Sequence, residues 1–214
     1  MSGILPIGEH IMLSHSLLER IRIPLYRILV VISGILLLFS KSGWEDVSIL
    51  SNVFFLAGCL LVGIGTLGRL WCSLYIAGYK NSRLITIGPY SVSRHPLYFF
   101  SLIGGIGIGL ATETLFFVLV VILLFGFCYP SVIHSEEQRL LGLYGENFEA
   151  YCRETPIFFP RLSLLKEPDT YTVNPKIFRK NVFGALWFIW LVGILELIEA
   201  LHESHILPAV FKLY

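Results

Sequence analysis

Apolar residues along this chain gather in long blocks instead of alternating with polar ones. The blocks run from Leu25 to Phe39, Val47 to Gly68, Leu97 to Ala111, Leu115 to Ile133 and Val182 to Leu201. A helix needs roughly 20 mostly apolar residues to cross a bilayer. The first and third blocks are short for that, with Ile21 to Leu25 and Tyr98 to Phe100 as interfacial extensions. The pattern predicts an all-α, polytopic membrane protein with about five transmembrane helices. Only Thr112 to Thr114 separates the third block from the fourth. So short a turn makes those helices antiparallel neighbours. The stretch from Arg161 to Asn181, with Pro168, Pro175 and scattered charges, reads as a linker. It divides a membrane core, residues 1–160, from residues 161–214, the linker plus an additional carboxyl-terminal transmembrane helix.

Charge adds an orientation. Arg20, Arg22, Arg27, Arg69, Lys80, Arg83, Arg94, Arg139, Arg153, Arg161, Lys166, Lys176, Arg179 and Lys180 fall on one side of the predicted helices, and Lys41 and Lys212 on the other. Positive residues collect in cytoplasmic loops, so the amino terminus and both long polar stretches, Arg69 to Pro96 and His134 to Asn181, are expected in the cytosol. Glu9, His10 and Glu19 precede the first block and no A-x-A-like cleavage site follows it, so that helix is expected to be retained.

Composition agrees with a bilayer as solvent: 55% of the 214 residues are hydrophobic and 14% charged. A net charge of +1 gives no electrostatic basis for a nucleic-acid partner. Cys59, Cys72, Cys128 and Cys152 are widely spaced, with no CxxC, which suggests neither a disulfide framework nor a zinc site.

Candidate chemistry lies in a few short motifs. Gly63-Ile-Gly65-Thr-Leu-Gly68 spells GxGxxG, but inside a transmembrane block and not after a strand. Close helix packing explains it, as it explains Gly104, Gly105, Gly107 and Gly109. A second reading keeps Gly63 and Gly65 as places where a cofactor approaches the helix backbone. In Leu84-Ile-Thr-Ile-Gly-Pro-Tyr-Ser-Val-Ser-Arg-His-Pro-Leu-Tyr98, Gly88-Pro89 marks a turn and Pro96 suits the first position of a helix. That helix start, beside Arg94 and His95, is either an anion site at the membrane surface or a set of interface anchors. If the fourth helix continues past the membrane, Glu136 and Glu137 project about 100° apart, so the two acids have different jobs. Leu140, Leu141 and Tyr144 equally allow an interfacial amphipathic segment with both acids solvated.

Taken together, the GPYxxxRHPxY signature, the Glu136-Glu137 pair after the next helix, Tyr144-Gly145, Tyr151 and Ile157-Phe-Phe-Pro160 resemble the isoprenylcysteine carboxyl methyltransferase family and its phospholipid methyltransferase relatives. The likeness runs from about Gly63 to Pro160, and Arg69 and Trp71 sit where many relatives have a similar pair. The resemblance implies a membrane methyltransferase that uses S-adenosylmethionine and draws a lipophilic methyl acceptor from the bilayer. It carries cofactor contacts onto Leu84, Ile85, Tyr90, His95, Pro96, Leu97, Tyr98 and Glu136, and places Gly63 and Gly65 near the cofactor. Arg94, Glu137 and His134 are the candidates for chemistry at the acceptor, with Glu137 or His134 taking the proton that an amine acceptor must lose.

In one respect the chain departs from the prenylcysteine branch. Enzymes of that branch carry an Arg four residues before the Glu matching Glu136, where this chain has Val132. The expected acceptors are therefore a lipid amine, thiol or phenol as well as a prenylcysteine carboxylate. The alternatives are a sterol-type NADPH-dependent membrane reductase, echoed by Arg94-His-Pro-x-Tyr98, Tyr151-Cys152 and Pro160, and a non-catalytic membrane protein. At the end of the last block Glu196, Glu199, His202, Glu203 and His205 crowd together. Glu199-x-x-His202 is half of a di-iron motif without its second half, so a helix end reaching water is the simpler reading.

Overall fold

The computed structural model describes residues 27–44, 47–79 and 82–214. The expectations that rest on Glu9, His10, Glu19, Arg20, Arg22 and Lys80 lie outside the described residues. Among those described, the apolar blocks form helices: α1 (Arg27–Phe39), α2 (Ser48–Ile76), α4 (Pro96–Ala111), α5 (Leu115–Tyr144) and α7 (Pro175–Glu203), with the short α3 (Pro89–Val92) and α6 (Glu146–Glu154) between them. The protein is an all-α membrane protein apart from one pair of short strands, β1 (Ser40–Ser42) and β2 (Phe211–Leu213). Helices α2, α5 and α7 are long and apolar enough to cross a membrane, whereas α1 and α4 are shorter apolar helices. The expected five spans thus become three full-length ones and two short ones. The long helices also overrun their apolar blocks: α2 continues past Gly68 and Arg69 to Ile76, and α5 continues past Ile133 through the Glu pair to Tyr144.

Glycines let α2 and α4 approach backbone to backbone. A Cβ on Gly65 would lie 2.6 Å from Gly104 Cα, and one on Gly107 2.6 Å from Val62 N. Small residues at such a crossing exchange side-chain volume for close van der Waals contact, which is how helices associate where no hydrophobic effect separates them from lipid. The tight turn at Thr112 to Thr114 then folds α5 against α4, where Gly109 meets the backbone of Val118. Helix α7 packs on α2 and α4; its Phe188 lies near Gly104 and under the Arg69 guanidinium, 5.3 Å from ring centroid to Cζ.

The bundle is tied at both ends. At one end β1 and β2 pair in parallel with Lys41 opposite Lys212, and the Phe116 amide donates to the Tyr214 carbonyl at 2.9 Å. The other end carries the stretch expected as a linker, and here the structure corrects the sequence. Residues 156–174 form a strap hydrogen-bonded across the core: Arg94 N donates to Pro156 O (2.8 Å), Arg161 N to Val92 O (2.9 Å) and Gly88 N to Lys166 O (2.8 Å). Tyr171 donates to the Tyr75 carbonyl at 2.7 Å, and Glu167 accepts from Trp71 and Tyr75. Asn174 ends the strap as the side-chain cap of α7, accepting from the amides of Lys176 and Ile177. Three backbone hydrogen bonds, three aromatic residues and a cap hold what composition alone marks as loose.

Candidate functional site

At the strap end, Gly88 sits at φ +61°, and a Cβ there would fall 2.4 Å from the Tyr75 ring, so only glycine makes this turn. Pro89 then starts α3, and Pro96 starts α4 with His95 at its N-cap. The two prolines thereby turn the Tyr90 to His95 segment inward. Tyr90, Ser91, Val92, Ser93 and His95 are all buried. Tyr151 of α6 locks the segment from behind, its hydroxyl donating to the Tyr90 carbonyl at 2.6 Å.

Helix α5 presents its two acids to this segment. Tyr98 donates to Glu136 Oε2 at 2.8 Å, while Arg94 Nη1 donates to Glu137 Oε1 at 2.8 Å. The His95 ring lies between them: Nε2 is 3.2 Å from Glu137 Oε1 and Nδ1 is 3.6 Å from Glu136 Oε2. Tyr98 stacks on that ring at 5.7 Å, and Arg94 Nη1 also reaches Cys152 Sγ at 3.1 Å.

The separation of the two acids creates two chambers. The first, about 100 Å³, is lined by Leu84, Ile85, Tyr90, Arg94, His95, Leu97, Tyr98 and Glu136. Its remaining wall, to which the sequence assigned no cofactor contact, is Ile76, Tyr79, Arg83, Arg139, Leu140, Tyr144 and Tyr151. Spacing could have found part of it, since Arg139 and Leu140 follow Glu136 by three and four residues on the same helix face. Three polar atoms on residues that line this chamber, Tyr90 OH, Tyr144 OH and Arg94 Nε, are buried and lack a hydrogen-bond partner among the described residues. Burial pushes the Tyr90 phenol well above its ordinary range, helped by Cys72 and Glu136 nearby, so it stays a neutral hydroxyl.

The second chamber, about 520 Å³, is apolar. Leu102, Ile122, Phe125, Tyr129, Ile133 and Phe158 form much of its wall, with His134 and Glu137 as its ionisable residues. Gly126, Pro130, Ile133 and Glu137 all reach it because they recur at three- and four-residue steps along α5.

The structure corrects part of the sequence reading. Gly63 and Gly65 line neither chamber: Gly65 is buried against Gly104, and a Cβ on Gly63 would meet nothing within 4 Å. Their role is helix packing and open surface. Pro96 is buried at the start of α4 without lining the chamber, where it shapes the turn. Glu199, His202, Glu203 and His205 line a third and larger cavity, about 780 Å³, at the β1–β2 end. It is remote from the paired acids. Among the described residues no three His, Cys, Asp or Glu converge as metal ligands.

A phospholipid methyltransferase family model matches residues 53–147, which include α4, the whole segment between α2 and α4, and the Glu pair. The chain is 41% identical over 196 residues to the cobalt-zinc-cadmium resistance protein CzcN of Cupriavidus metallidurans, covering 92% of this chain and 90% of that one. It is 39% identical over 193 residues to the nickel-cobalt-cadmium resistance protein NccN of Alcaligenes xylosoxydans xylosoxydans, covering 90% of each. No solved structure matches it significantly.

Proposed function

Because the chain belongs to the phospholipid methyltransferase family, in the isoprenylcysteine carboxyl methyltransferase-like class of membrane methyltransferases, we propose that it transfers a methyl group from S-adenosylmethionine to a lipophilic acceptor. The observation that carries this reading is the pair of chambers meeting at one carboxylate–imidazole–carboxylate contact, one chamber with tyrosine, arginine and glutamate side chains in its wall and the other almost wholly apolar. When bound, S-adenosylmethionine supplies a methyl group on a cationic sulfur.

The small chamber has the chemistry to hold such a molecule. Its unpartnered Tyr90 and Tyr144 hydroxyls and the Arg94 Nε–H offer hydrogen bonds for a carboxylate and ribose hydroxyls, and Glu136 offers charge for an ammonium. Small-molecule sites usually enclose ~300 Å³ or more, so the chamber widens on binding. The exposed Arg83 and half-buried Tyr79 form the wall that yields.

In the apolar chamber, Leu102, Ile122 and Phe125 bind the hydrocarbon of the acceptor and exclude water from it. Glu137 and His134 meet its polar end, with Arg94 fixing the Glu137 carboxylate. Val132, half-buried, contributes no cation to this chamber. An acceptor with an N–H, S–H or phenolic O–H therefore fits better than a carboxylate, which Glu137 repels. The nucleophile loses its proton to Glu137 or His134. We place the amino terminus and this end of the bundle in the cytosol, and we carry over from the relatives' names a setting in resistance to metals such as cobalt and cadmium.

Calorimetry in detergent and a radiolabelled methyl-transfer assay test the proposal. The protein is expected to bind S-adenosylmethionine, with Glu136→Gln and His95→Ala weakening it more than Glu137→Gln does. Lipophilic amines or thiols are expected to accept methyl better than prenylcysteine analogues. NADPH binding in place of S-adenosylmethionine, or equal losses at Glu136 and Glu137, would overturn the assignment.

A further inference from the structure

We propose that His95 is the proton carrier between the chambers, taking the acceptor's proton from Glu137 on the apolar side and passing it to Glu136 on the cofactor side. The proposal rests on the methyl-transfer reading. It follows from a problem that reading creates: the apolar chamber is where the proton is released and where no water should be.

The His95 side chain is only 4% exposed, so the ring does not exchange protons with bulk water directly. Its two nitrogens instead face the two carboxylates, Nε2 at 3.2 Å and Nδ1 at 3.6 Å. An imidazole can accept at one nitrogen and release from the other without turning, which no other side chain does near neutral pH. Glu137 suits the first position because Arg94 and His95 both contact its Oε1, while its Oε2 makes no hydrogen bond among the described residues. Glu136 suits the last. Its Oε1 lies 3.6 Å from the Arg139 guanidinium, which is 42% exposed, so the route ends in water. The distance of 3.6 Å at Nδ1 exceeds a hydrogen bond, so the transfer requires the Glu136 carboxylate to move closer to the ring. The other charged or titratable neighbours of this trio include Tyr90 on α3, Arg94 just before α4, Tyr98 on α4, and Tyr151 and Cys152 on α6.

The balance is simple. The acceptor nitrogen or sulfur forms a bond to the methyl carbon as the carbon–sulfur bond to the cofactor breaks, with that electron pair staying on the cofactor's sulfur. The proton leaving the acceptor goes to Glu137 Oε2, and rotation of the carboxyl group then presents it to Nε2, which faces Oε1 in the structure. The proton on Nδ1 goes to Glu136 and out. An acceptor that is already an ionised carboxylate has no such proton and needs no carrier.

His95→Ala tests this, assayed with a lipophilic thiol at saturating S-adenosylmethionine. Turnover is expected to fall about a hundredfold, within the range for general acid–base catalysis, and millimolar imidazole is expected to restore it several-fold. Calorimetric affinity for S-adenosylmethionine should be the same with and without imidazole, and any turnover of a prenylcysteine carboxylate should show no rescue. Parallel recovery of affinity and turnover would reduce His95 to a scaffold and overturn the proposal, as would full turnover at saturating cofactor without imidazole. A wild-type protein that binds S-adenosylmethionine yet methylates nothing would instead overturn the methyl-transfer reading itself.

Discussion

At the scale of residues, a one-position step along α5 decides the layout of the site. Glu136 and Glu137 are adjacent in sequence, yet they line different chambers because each helical residue turns about 100° from the last. This divergence was legible in the sequence, as were Leu84, Ile85, Tyr90, His95, Leu97 and Tyr98 around the small chamber. Tyr79, Arg83 and Tyr151 were not, because α2, the loop after it and α6 meet there only in three dimensions. Tyr90 gives this scale its prediction. Its hydroxyl is buried without a partner, and an unsatisfied buried group costs about 1–3 kcal/mol. Tyr90→Phe is therefore expected to leave thermal stability unchanged or raise it by up to ~1 kcal/mol, while weakening S-adenosylmethionine binding about fivefold or more. Because burial keeps the phenol neutral, that loss should be constant from pH 6 to about pH 9, below the ordinary phenol pKa. Weaker folding with intact binding would show that the hydroxyl serves the structure instead.

Among the elements, the α2–α4 crossing separates the two glycines of one motif. Gly63 and Gly65 carry the same GxGxxG pattern, but two residues on a helix point to nearly opposite sides. One faces open space and the other the backbone of Gly104. Gly65→Ala is expected to force the helices apart and cost ~1–3 kcal/mol, as overpacking does. Gly63→Ala should be neutral or stabilising by up to ~1 kcal/mol through helix propensity. Thermal denaturation in detergent, with the two variants side by side, checks both; a destabilised Gly63→Ala would restore a contact role to that glycine. The strap was illegible for a related reason. Pro168, Pro175 and scattered charges read as a linker by composition, whereas its order comes from backbone hydrogen bonds to Gly88, Val92 and Arg94 and from Tyr171 on Tyr75. Local sequence carries no trace of partners so distant along the chain.

For the whole molecule, the presence of five apolar helices followed from the apolar blocks, because a bilayer leaves few ways to satisfy a backbone. Helix length did not: polar extensions such as Arg69 to Ile76 and His134 to Tyr144 stay helical beyond the apolar blocks by continuing the same hydrogen-bond ladder. The two ends of the bundle differ in charge, and under the positive-inside rule the proposed orientation has the strap in the cytosol. Ser163 and Lys212 are both exposed and lie at opposite ends. A membrane-impermeant thiol reagent added outside intact cells is expected to label Lys212→Cys and not Ser163→Cys; the reverse pattern would turn the orientation over.

The β1–β2 pair also sets an order for biosynthesis. Strand Ser40–Ser42 is translated and threaded into the membrane long before its partner Phe211–Leu213 exists. Until residues 211–213 leave the ribosome, β1 lacks the strand that pairs with it, the kind of open edge that recruits strangers. Residues 211–213 therefore fasten the first described helix to α7. A nascent chain that stalls before residue 211 is left unclasped, and quality-control proteases have an edge by which to recognise it.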